Sequence, residues 1–185
     1  APPSLHGFMP IYDMENDSDF LGSLDGRGHS ISGLYMESYL VGLGLFSKID
    51  GGTFTNINLV DIEYQVNMDA SFFDFTTPSL THTIGGLAGS IKNATISGVS
   101  VTGTIDGTFR KNTTLGGLVG YTNEANSSID RTYTDVDITV SRSVGGANPY
   151  IHIGGLFGID VASTTPLTIR KSYAHGDILV NNSNG

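Results

Sequence analysis

Apolar and polar residues alternate over short runs along most of the chain. In DVDITV, residues 135–140, Val136, Ile138 and Val140 take every second place, and in GDILV, residues 176–180, Ile178 and Val180 do the same. A period of two marks a strand with one buried face, a surface that β-branched side chains suit. No segment sustains the spacing of an amphipathic helix, and each interior Gly would weaken a helix by about 1 kcal/mol. The pattern predicts an all-β chain with helix content close to nil.

The strand patterns recur at intervals, as IDRTYTDVDITV at 129–140 and IRKSYAHGDILV at 169–180 illustrate. Gly-Gly-Leu occurs at Gly85-Gly86-Leu87, Gly116-Gly117-Leu118 and Gly154-Gly155-Leu156, and Gly44-Leu45-Phe46 is read in register with them, giving steps of 42, 31 and 38 residues. After each step comes a polar turn and then an Ile, with Ile or Val nine positions later: Ile57 and Val66, Ile96 and Ile105, Ile129 and Ile138, Ile169 and Ile178. A unit of two or three short strands cannot bury its apolar face alone, but stacked copies can, with equivalent residues in columns about 4.8 Å apart. The expected architecture is a parallel β-helix or β-solenoid with loop insertions. Residues 1–19 form an amino-terminal cap, and 20–185 form one domain of about four irregular repeats within a longer chain. Ends of such a coil expose unpaired strand edges, which flanking domains of the same chain or a homotrimer would cover.

Composition supports this picture. Gly numbers 25, and the charged fraction is 15%, below the roughly 25% of ordinary domains; Gly with abundant Asn, Ser and Thr supplies tight turns. Cysteine is absent, which excludes disulfides and thiol chemistry. A net charge of -9, with 9 Lys and Arg scattered along the chain, argues against nucleic acid as a partner. No stretch has the length and apolarity of a membrane span.

GGLVGYTNEANSSIDRTYTDVDITV and GGLFGIDVASTTPLTIRKSYAHGDILV resemble GLUG-motif repeats, and FLGSLDGRGHSISGL resembles the segment that opens such regions. The likeness runs from about residue 8 to 181, departing at Ser47, where the motif has its second Gly. It implies a right-handed coil in a bacterial surface or secreted protein such as an adhesin.

Several residues are candidates for chemistry. Asp137 and Asp177 precede inward Ile138 and Ile178, so both point outward, about 5 Å apart if the rungs stack in register. Such a pair raises one pKa or recruits a cation, and its spacing is near that of retaining glycosidases. Gln65 and Thr104 in the same column of the earlier copies favour plain solvated surface, and Arg131 and Lys171 also occupy one column, as cations that would neutralise nearby carboxylates. Tyr133 and Tyr173 form an aromatic column that could stack on sugar rings or belong to the repeat itself. DMENDSD sets Asp13, Glu15, Asp17 and Asp19 at alternate places, but Leu24 stands where a Ca²⁺ loop needs Glu, so it reads as a turn. No cofactor is expected; Asp13, Asp17, Asp19, Asp137 and Asp177 are the candidates for Ca²⁺. The five His show no metal-ligand spacing.

Two inserts interrupt the rungs. NMDASFFDFTTPSLTHT, residues 67–83, carries Phe72, Phe73 and Phe75, and SRSVGGANPY, residues 141–150, carries Pro149 and Tyr150. Long loops on rigid scaffolds are where recognition usually resides. The sequence therefore reads as a non-enzymatic extracellular adhesin or fibre-tip module that binds a glycan or surface protein. The alternatives are a β-helix polysaccharide lyase or hydrolase, or a structural spacer.

Overall fold

A computed structural model describes residues 6–11, 19–38, 41–67, 81–123, 126–142, 150–161 and 167–182. Among these there is no helix, and the sheets are predominantly parallel. The lead-in strands are β1 (His6–Gly7), β2 (Leu24–Asp25), β3 (Ser30–Ser32) and β4 (Tyr35–Ser38). Then follow β5 (Gly42–Leu43), β6 (Phe46–Asp50), β7 (Thr53–Thr55) and β8 (Asn58–Asn67). The same series returns as β9 (His82–Gly85), β10 (Ala88–Lys92), β11 (Thr95–Ser97) and β12 (Ser100–Phe109). It returns again as β13 (Thr113–Gly116), β14 (Val119–Asn123), β15 (Ser128–Asp130) and β16 (Tyr133–Arg142). The last circuit holds β17 (Ile151–Gly154), β18 (Phe157–Val161), β19 (Thr168–Arg170), β20 (Tyr173–His175) and β21 (Ile178–Asn182).

Each circuit contributes to four sheets in one order. β5, β9, β13 and β17 make the first sheet; β6, β10, β14 and β18 the second; β2, β7, β11, β15 and β19 the third. The fourth contains β4, β8, β12, β16 and β20, with β3, β21 and an antiparallel β1 attached. Strands in four sheets per circuit replace the two or three strands expected, because the short runs ahead of Gly-Gly-Leu (HTIG, TTLG and IHIG) also pair in parallel.

Inward residues from the four sheets form one apolar core. Phe54, Ile96, Ile129 and Ile169 are register partners in the third sheet, and Met36, Tyr64, Ile105, Ile138 and Ile178 in the fourth. The expected pairing of Ile57 and Val66 with these columns is therefore corrected to Phe54 and Tyr64. Phe54 takes the Ile place in β7, and a bulge lengthens its spacing to Tyr64 from nine residues to ten: Val101 faces Leu59 while Gly103 faces Ile62, leaving one extra residue on β8. Asp61 adopts a φ of 54° there, and the buried side of β8 changes phase across it.

The Gly-Gly-Leu steps are corners between the first and second sheets. A Cβ on Gly117 would strike the Gly155 carbonyl, and one on Gly120 the backbone of Ile84. Leu87 and Leu118 are fully buried beside these corners, each a burial worth about 2 kcal/mol. The Tyr64 hydroxyl donates to the Gly86 carbonyl across the core at 2.9 Å, and the Thr134 hydroxyl to the Gly155 carbonyl at 2.9 Å. In the first circuit the corner is one residue shorter, since Leu43 faces Ile84 but Phe46 faces Ala88. Ser47 sits there in the Gly89 column, buried, with a hydroxyl that has no hydrogen-bond partner.

Candidate functional site

Where the first and second sheets diverge from their Gly-Gly-Leu corner, their outer sides enclose an open groove of about 620 Å³. One wall is a column of register partners, Lys48, Ser90, Tyr121 and Ile159, one from each strand of the second sheet. The opposite wall is another column, Thr83, Thr114 and His152 of the first sheet. Parallel stacking thus turns single positions of the repeat into continuous walls.

Tyr150 lines this groove. Its N–H donates to Asn112 Oδ1 at 3.2 Å, its hydroxyl lies 3.4 Å from Thr81 Oγ1, and its ring is tilted against His152 with centroids 5.1 Å apart. Lys48 pairs with Asp19 at 3.4 Å and Lys92 with Asp50 at 3.5 Å, so the ammonium groups of the groove already have carboxylate partners. Asp19, a sequence candidate for Ca²⁺, is thereby an ion-pair partner in the groove; Asp13 and Asp17 lie outside the described residues. So do Phe72, Phe73 and Phe75. The inserts nevertheless rejoin the described chain at Thr81 and Tyr150, both of which line the groove.

The other candidates gather on the outer face of the fourth sheet. Tyr133 and Tyr173 are register partners with centroids 4.7 Å apart and planes tilted by 40°. Asp135 joins them, accepting from the Tyr133 hydroxyl and lying 2.9 Å from His175 Nδ1. These contacts shift all three groups. The hydrogen bond to Asp135 raises Tyr133 and also raises His175, while His175 holds Asp135 below the usual carboxylate range. Asp137 Oδ1 accepts the Asp177 backbone N–H at 2.8 Å, so this carboxylate braces the bend at Gly176. Glu63, not Gln65, shares the column of Thr104 and Asp137, as the bulge at Asp61 requires; Gln65 faces Asp106. Among the described residues, no three His, Asp or Glu are grouped to hold a metal ion.

Tyr121, Thr83, Ser90 and His152 were missed from the sequence. The signal was present: Lys48, Ser90, Tyr121 and Ile159 each stand three residues after the corner Leu, and Thr83, Thr114 and His152 four before it. Their side chains differ from copy to copy, which hides them from a search for identity.

No family model matches the chain, and no solved structure matches it. A stretch of 124 residues is 35% identical to halomucin of Haloquadratum walsbyi (strain DSM 16790 / HBSQ001). The match covers 65% of this chain and 1% of halomucin's length. No helix among the described residues is long and apolar enough to cross a membrane.

Proposed function

We propose that the chain is a right-handed parallel β-solenoid of the GLUG-repeat kind, forming part of an extracellular surface protein. It acts as a non-enzymatic binding module. The observation that carries this reading is the groove between the first and second sheets, which Thr81 and Tyr150 help to line. Rigid stacked strands supply fixed walls, a concave surface suited to recognition. The likeness to halomucin supports a surface setting, since that protein is named a mucin. One Asp137 oxygen is already engaged by the Asp177 backbone N–H, and ligand capture in the groove, as by an adhesin, is the reading we adopt.

The test is attachment and turnover measured together. The purified protein should be retained on a panel of immobilised glycans and surface proteins, and Tyr150→Ala should reduce retention, with no shortening of any polysaccharide offered. Cleavage that Asp137→Ala abolishes would establish the enzyme instead. Equal retention of the wild type and Tyr150→Ala would detach function from the groove.

A further inference from the structure

We infer that the groove takes a neutral, linear oligosaccharide of roughly three sugar units, lying along the direction in which the strands stack. This deepens the binding-module reading and rests on it. The second-sheet wall is built from four strands about 4.8 Å apart, so the column from Lys48 to Ile159 is about 14 Å long. That is the span of roughly three sugar units, and each strand step is close to the advance of one unit.

The lining matches both faces of such a ligand. Tyr121 is half-buried in one wall, and the tilted Tyr150–His152 pair lines the other. Aromatic rings of this kind cover the C–H faces of a sugar. Thr83 and Ser90 line the two walls as half-buried hydroxyls, able to donate to and accept from hydroxyls at the sugar's rim.

Charge argues for a neutral ligand. Lys48 and Lys92 are held by Asp19 and Asp50, and a chain of net charge -9 repels polyanions. Geometry argues against a peptide added as a strand, which needs an open sheet edge. The strands β9, β10, β13 and β14 that form the centre of both walls each have neighbours on both sides.

The test is calorimetric titration with ladders of one to six units of β-1,4-linked glucose, α-1,4-linked glucose and β-1,4-linked N-acetylglucosamine. One ladder should bind with affinity that rises to about three units and then levels off, independent of salt. Tyr121→Ala should weaken binding about ten-fold with an unchanged unfolding temperature, and the more exposed Tyr150→Ala should act in the same direction. Tyr133→Ala, on the fourth sheet, should change nothing. Loss of binding in Tyr133→Ala alone would overturn the inference, as would binding restricted to acidic polysaccharides and weakened by salt. Capture of a protein or peptide through the groove, with no sugar bound, would refute the oligosaccharide while sparing the binding module. Absence of any groove ligand would refute both.

Discussion

Left-handed backbone at single positions sets the corners between the third and fourth sheets. Asn56, Gly98, Arg131 and Lys171 each follow register-paired residues, and their φ angles are 53°, 63°, 49° and 50°. Asn and Gly accept this geometry readily, whereas Arg and Lys do so at some cost. Arg131 is held there by Asp130 at 2.6 Å and by Ser97 Oγ at 2.9 Å. The shared column of Arg131 and Lys171 was legible in the sequence, but its cause is backbone conformation, which composition does not reveal. On the neighbouring face, His175 is met by Asp135 first, with Asp137 and Asp177 adding to the same effect. A raised His pKa means that its pairing is complete below the ordinary value of 6.5 and is lost as pH rises through the folded-state value. Asp135, held low, keeps its side of the pair above its ordinary 3.8 and loses it as pH falls through its own lowered value. Nuclear magnetic resonance titration should therefore find His175 above 6.5, and Asp135→Asn should bring it down. An unchanged midpoint in that variant would remove the pair from the account. The pair is solvent-exposed, so its effect on unfolding should be slight.

Strands were legible from alternation where the alternation was unbroken, as in β16 from Tyr133 to Arg142. β8 was legible as a strand but not in register, because the extra residue at Asp61 moves the buried set from one parity to the other. A fixed offset of nine residues therefore picked Ile57 and Val66, which are buried but belong to other columns. Gly103 is the partner that makes room for this bulge. Its φ is 133°, and an added Cβ would strike the backbone of Ile62. Gly103→Ala should lower stability by about 2 kcal/mol or more, read as a lower denaturant midpoint. A midpoint unchanged from wild type would mean that β8 and β12 pair without the bulge. The strands of the first sheet escaped notice for a different reason. With only four residues in β9, β13 and β17, they are too short to display a period.

Taken whole, the molecule is a set of four sheets that the chain visits in one repeated order, and its two ends differ. At the first end, β1 pairs across β4, and Ile11 and Phe20 bridge to Phe46 and Ile49. At the other, Ile169 and Ile178 are 46% and 47% exposed, although their partners Ile129 and Ile138 are each 1% exposed. The repeated apolar columns, the sequence's strongest signal, thus serve stacking. Recognition is assigned to positions that repeat in place but vary in kind, which is why the site was harder to read than the fold. The most direct test of that assignment is to follow backbone amide resonances while titrating the protein with the three-unit member of the sugar ladder that binds. The account predicts shifts concentrated at Thr83, Ser90, Tyr121 and His152, with the fourth sheet silent. Shifts concentrated at Tyr133, Asp135 and Tyr173 would contradict it.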